Sequence, residues 1–240
     1  MSHNPYQASN VDYGPLVQNA EASARSSFIR STYLHLFGAV LLCVLIDTAI
    51  FSLFFDQLEP LVRKLSQGWN MILFFVGFMV VSGLADSWAR NGTSKAMQYA
   101  GLVLCVFAYA VFFVPILLIA EMTSPGAIES AGVVTAVVFG GLTVTVFITK
   151  ADFSFLRMFL VVLSCCAFGL ILVSLIFGYA LGNWFSIAMI VLASGYILYE
   201  TSNIQRRYRT DQSVAAAVAL FASVGLLFYY VLRLFMMSRD

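Results

Sequence analysis

Trp184-Phe185-Ser186-Ile187-Ala188-Met189-Ile190-Val191-Leu192-Ala193-Ser194-Gly195-Tyr196-Ile197-Leu198-Tyr199-Glu200-Thr201-Ser202-Asn203-Ile204 is an apolar run with one carboxylate in it. A membrane-crossing helix needs about 20 predominantly apolar residues, so the run is long enough to span a bilayer. An ionisable group inside a span costs about 2.5 to 3.5 kcal/mol on insertion scales and therefore faces a partner or a water-filled path. Glu200 is the first candidate for function.

The rest of the chain has the same character. Of its 240 residues 61% are apolar and 10% charged, against about 25% charged in soluble domains. Seven runs meet the length requirement: Tyr33–Phe55, Trp69–Ala89, Met97–Ala120, Ala131–Thr149, Phe155–Tyr179, Trp184–Ile204 and Val214–Phe235. Lipid-exposed backbone must satisfy its own hydrogen bonds, and the short alternating segments of a barrel are absent. The expected architecture is therefore an all-α, seven-helix transmembrane bundle over residues 28–240. Residues 1–27 are polar, with Pro5 and Pro15, and are expected to form a disordered cytoplasmic tail without a signal-peptide core.

Lysine and arginine resist translocation, and nine of the thirteen fall on one side: Arg25, Arg30, Arg90, Lys95, Lys150, Arg157, Arg206, Arg207 and Arg209. Arg63, Lys64, Arg233 and Arg239 fall on the other. The amino terminus is expected inside and the carboxyl terminus outside, in the cell's inner (plasma) membrane. A net charge of +1 gives no reason to expect nucleic acid.

Glu200 lies about 24 Å along its helix from Trp184 and about 9 Å short of Arg206, in the cytoplasmic third. Tyr196 and Asn203 share its face at helical spacing. Arg90 closes the second run at a similar depth and is a candidate counter-ion, although an arginine at a helix end also snorkels to headgroups. Asp47 is a second deep acid. With Glu121 and Glu129 of the third connection it could line an outer vestibule that concentrates cations. His35 reads as an interfacial residue. Gly132, Ala136 and Gly140, and Ala215 with Ala219, form small-residue stripes that read as helix packing. Cys43, Cys105, Cys165 and Cys166 all lie within runs, and no Cys/His spacing suggests zinc.

Enzyme readings find no support. There is no Gly-x-Gly-Asp pair for an aspartyl protease and no Gly-x-Ser-x-Gly turn. No lysine lies in the last run to bind retinal. The chain is expected not to be an enzyme and to need no resident cofactor.

Gly141-Leu142-Thr143-Val144-Thr145-Val146-Phe147-Ile148-Thr149-Lys150-Ala151-Asp152-Phe153-Ser154-Phe155-Leu156 resembles the fourth connection of the Bax inhibitor-1 and YccA-like family, the transmembrane Bax-inhibitor-motif proteins. Ile197-Leu198-Tyr199-Glu200-Thr201-Ser202-Asn203-Ile204 is similar to that family's sixth helix. Phe28-Ile29-Arg30-Ser31-Thr32-Tyr33 and Tyr230-Val231-Leu232-Arg233-Leu234-Phe235 fit as well. The resemblance implies a bundle with its last helix central and, as in bacterial relatives, a pH-sensitive calcium leak. In those relatives two aspartates, on the sixth and seventh helices, share a proton and pair with an arginine that ends the second. Glu200 matches the first acid, Arg90 the arginine, and Ser223 the second acid position. Glu200 is then the residue expected to meet Ca2+ or H+, with Arg90 as its latch and Ser223 beside it. The chain departs from the pattern at Ser223, and a lone glutamate with a hydroxyl is a poor calcium site, because calcium takes about six to eight oxygens. Relatives are also linked to membrane-bound proteases, so a non-conducting modulator of such a partner is the alternative, and a purely structural acid the third reading. Membrane lipids are the remaining expected partners.

Overall fold

The computed structural model describes residues 14–65, 69–91 and 94–237. A single 3-10 turn, Val17–Asn19, precedes seven α-helices: α1 Ala22–Leu65, α2 Trp69–Ala89, α3 Lys95–Thr123, α4 Ala127–Thr149, α5 Leu156–Phe177, α6 Asn183–Arg206 and α7 Ser213–Met237. All seven are long and apolar enough to cross a membrane. Each expected run lies mostly within one helix. Asp56–Leu65, a segment of mixed polar and apolar residues, continues α1 through Pro60. Leu58 and Val62 of that extension pack on Val114 and Leu118 of α3.

Because the helices alternate in direction, one end of the bundle gathers the start of α1, the ends of α2, α4 and α6 and the start of α7. This is called the tail end here, and its opposite the far end. α7 packs against α1, α2, α3, α4 and α6, and two thirds (67%) of its apolar window is buried, more than in any other helix. α2 and α5 lie at the other extreme. Only Ala85 and Ala89 of α2, and Leu160 and Ala167 of α5, are buried.

The tightest helix contact joins α2 to α3 at the tail end. A Cβ on Gly101 would lie 2.5 Å from the Ala89 nitrogen and 2.6 Å from the Ala85 carbonyl oxygen, and both alanines are fully buried. Small residues four apart on α2 thus let a glycine of α3 press backbone to backbone. The stripe expected to pack on α4 does otherwise. A Cβ on Gly132 or Gly140 would meet nothing within 4 Å, and Gly132 and Ala136 are exposed, so that stripe faces away from the bundle. Ala215 of the α7 stripe is fully buried, as expected.

The expected tail is structured from Gly14 onward. Val17 is fully buried in the main core cluster, and its N–H donates to the Tyr208 carbonyl (2.9 Å), while the Thr210 N–H donates to Pro15 O (3.1 Å). Leu16 and Arg209 form an isolated antiparallel bridge. From α1, Arg25 donates to Val17 O (3.1 Å) and Gln18 O (2.9 Å). The segment holds because it combines an apolar anchor with backbone pairing, which its polar composition conceals. Residues 1–13 lie outside the described residues.

Replacing Gly101 by alanine should lower stability by about 1–3 kcal/mol, the usual cost of overpacking. Gly132→Ala should leave stability unchanged or raise it, since it only improves helix propensity. Thermal unfolding of the two variants in one detergent compares them; equal midpoints would contradict the α2–α3 contact.

Candidate functional site

Glu200 sits on the last third of α6, half-buried. Its Oε2 accepts from the Tyr208 hydroxyl (3.2 Å) and from Asn203 Nδ2 (3.4 Å). Asn203 lies one turn further along α6. Tyr208 comes from the turn between α6 and α7, buried, with its ring 6.4 Å from that of Phe28. The docked Leu16–Ala20 segment fixes this turn through the Tyr208 carbonyl and so holds the hydroxyl that reaches Glu200. Burial, and after it the negative field of Glu200, pushes the Tyr208 phenol well above its ordinary range, so the hydroxyl remains a donor.

Arg90 follows the end of α2, and its close partner is Asp86: Nε to Oδ2 is 2.8 Å, one turn apart on the same helix. The pair is partly exposed, with side-chain accessibilities of 49% and 41%, and such a pair is worth about 0.3–0.5 kcal/mol. Among the described residues no ion pair within 4.0 Å joins Arg90 to Glu200. The Glu200 charge nevertheless acts on Arg90, adding to the Asp86 hydrogen bond that holds the guanidinium proton more tightly than usual. Arg90 and Asp86 thus form one pair, while Glu200 is held by a tyrosine hydroxyl and an amide, both neutral donors.

Asp86 was not singled out in the sequence. Its signal was the Asp86/Arg90 spacing of four, which on a helix is a local ion pair.

The other candidates are placed as follows. Ser223 is buried on α7 and donates to its own helix, to Ala219 O at 3.0 Å. Tyr196 is turned toward α5, with its hydroxyl 2.9 Å from Ser164 Oγ; the expected polar stripe therefore divides, leaving Asn203 alone beside Glu200. Asp47 is half-buried on α1 and accepts from the Cys43 thiol (3.7 Å), while its Oδ1 has no partner among the described residues. Glu121 and Glu129 are exposed at the far end, the second in the first turn of α4, where a negative charge suits the helix dipole. His35 bridges Ser31 and Tyr99 (3.3 and 3.1 Å). Among the described residues no group of three or more His, Cys, Asp or Glu side chains is placed to hold a metal ion. Glu200 does not stand in a chelating cluster.

The α4–α5 connection is fastened to α6 just beyond Glu200. Lys150 takes a left-handed conformation (φ 51°) that ends α4, and its carbonyl accepts from Arg206 (2.5 Å). Ser202 Oγ accepts from the Phe153 N–H (3.2 Å). Residues 25–240 match the family described as inhibitor of apoptosis-promoting Bax1. The chain belongs to the Bax inhibitor-1-like family. It is similar to an uncharacterized protein of Campylobacter jejuni, 30% identical over 90% of this chain and 91% of the relative. It is also similar to Protein LIFEGUARD 1 of Arabidopsis thaliana, 26% identical over 87% and 88%, and to Protein LIFEGUARD 4 of the same plant, 32% identical over 56% of each. In this Bax inhibitor-1-like chain, the connection that carried the resemblance clamps the helix bearing Glu200.

Tyr208→Phe removes the hydroxyl and should cost about 1–3 kcal/mol, the range for leaving a half-buried charged acceptor short of a donor; chemical unfolding in detergent measures it, and an unchanged midpoint would mean the bond contributes nothing. Asp152 makes the stability depend on pH. The Ser154 backbone N–H (2.9 Å), then the Ser154 hydroxyl and Arg206, hold its carboxyl below the usual range. A depressed folded pKa stabilises above the unfolded value, about 4, and that stabilisation is lost as pH falls through the lower folded value. The stability gap between the wild type and Asp152→Asn should therefore be present near neutrality and close on acidification through that window. A gap that persisted at still lower pH would remove this reading.

Proposed function

We propose that the chain is a proton-sensitive cation leak with calcium as cargo, a passive conduit and not an enzyme. It lies in the cell's inner (plasma) membrane with its amino terminus inside. The observation that supports this most directly is the pairing at Glu200: its carboxylate is held by Tyr208 of the α6–α7 turn, while the nearby cation, Arg90, is already occupied by Asp86.

That arrangement has two stable ways to share its charges. With Glu200 ionised, the charge-assisted bond from Tyr208 ties α6 to the turn and, through Val17, to the docked segment. A proton on Glu200 turns that bond into an ordinary one and removes the pull on Arg90, which then belongs to Asp86 alone. The tail end loosens and the path opens. Asp86 supplies from α2 the second carboxylate that relatives carry at the position of Ser223. The acids of the far end, Asp47, Glu121 and Glu129, raise the local concentration of cations at the other mouth. Calcium passes Glu200 without being chelated there, because too few oxygens surround it.

Calcium flux into proteoliposomes should rise as pH falls from 8 to 5. Glu200→Gln, which mimics the protonated acid, should give a raised flux that no longer responds to pH. Asp86→Asn frees Arg90 to turn to Glu200, favouring its charged form, so that variant should open only at a lower pH than the wild type. Flux equal to protein-free vesicles across the range would end the proposal, and an Asp86→Asn profile identical to the wild type would remove Asp86 from it.

A further inference from the structure

A second feature lies in the far half of the bundle, away from Glu200. A cavity of about 430 Å³ runs between α2, α3, α5, α6 and α7, within the range of ordinary small-molecule sites. Its walls are aromatic. Phe78 stacks on Phe112 (4.1 Å), and Phe75 of α2 meets Phe168 of α5 in a stack at 6.2 Å. The two lining serines bring no free polarity, since Ser164 is paired with Tyr196 and Ser174 donates to Tyr179 O (2.6 Å). One end is closed at Gly225, where the Tyr109 ring stands 2.8 Å from the place of a Cβ. The other end is bordered by Arg233.

From Gly225 to Arg233 is about 12 Å along α7, close to the roughly 15 Å depth of one leaflet's hydrocarbon. Arg233 gives one donor to Leu181 O (2.5 Å) and lies over the Phe185 ring at 5.9 Å. A guanidinium has five donors, and among the described residues none of the ion pairs within 4.0 Å includes Arg233. A cation with no ion-pair partner among the described residues thus stands at the mouth of an apolar slot about one leaflet deep. α2 and α5, which flank the slot, have few buried residues of their own, Ala85 and Ala89 on the first and Leu160 and Ala167 on the second.

We propose that this slot holds one acyl chain of an anionic phospholipid whose phosphate pairs with Arg233. The planar guanidinium matches a phosphate through two parallel hydrogen bonds, and the aromatic walls take the chain. The second chain stays in the bilayer. This site is independent of the leak at Glu200 and stands or falls without it.

The full chain in mild detergent, titrated with dioleoyl phosphatidylglycerol or with phosphatidylcholine of the same chains, tests it by native mass spectrometry. The wild type should retain one phosphatidylglycerol in preference to phosphatidylcholine by about fivefold, the worth of one basic residue at a lipid headgroup. Arg233→Gln should abolish the preference and Arg233→Lys should keep it, with helicity by circular dichroism unchanged in both. Ile171→Trp, which fills the slot from α5, should lower retention of both lipids; should it fail to fold, the Arg233 pair decides alone. Equal retention of the two lipids by the wild type overturns the proposal. So does a preference that survives Arg233→Gln, or free oleate displacing the phospholipid as well as phosphatidylglycerol does.

Discussion

A carboxylate placed in an apolar helix must find its donors inside the protein, and the tail end of this bundle is arranged around that requirement. Water is scarce at that depth, and an unmet charge costs several kilocalories per mole. The donor that reaches Glu200 is the Tyr208 hydroxyl. It comes from a connecting turn, and turns are mobile unless something fastens them. Here the fastening is explicit: Val17 is buried beneath the turn, Pro15 and Val17 pair with its backbone, and Arg25 ties the same segment to α1. The α4–α5 connection fastens the other side through Ser202 and Arg206. Two stretches outside the seven spans thus set the environment of one acid.

Placing Arg90 beside this acid without pairing it directly has an electrostatic logic. Asp86 claims the guanidinium from one turn away on the same helix, where the geometry costs little side-chain entropy. The donors left to Glu200 are neutral, the Tyr208 hydroxyl and the Asn203 amide. A direct Glu200–Arg90 pair would hold the acid ionised far more firmly.

Helix positions were legible in the sequence because each span is a long uninterrupted apolar run, and length against bilayer thickness decides such cases. Glu200 was legible for the same reason, as the exception inside a run. The docking of residues 14–20 was not, since a short polar stretch with one buried valine has no periodicity to reveal it. Asp86 was obscured because an acid four residues before an arginine reads as a span boundary. The outward face of Gly132 and Ala136 was hidden because a small-residue stripe says that a helix can approach another, not which side the neighbour takes. The Gly101 contact shows the converse: a single glycine whose importance depends on two alanines of another helix.

α1 carries the last consequence. Its 44 residues form one helix about 66 Å long, more than twice the roughly 30 Å of hydrocarbon it crosses. At one extremity it grips the segment that steadies Tyr208, and at the other it lies on α3 through Leu58 and Val62. A helix longer than the hydrocarbon answers a thinner bilayer by tilting, and a tilt of this one moves the end that carries Arg25. Bilayer thickness around the outer part of α1 is thus coupled mechanically to the segment that positions Tyr208.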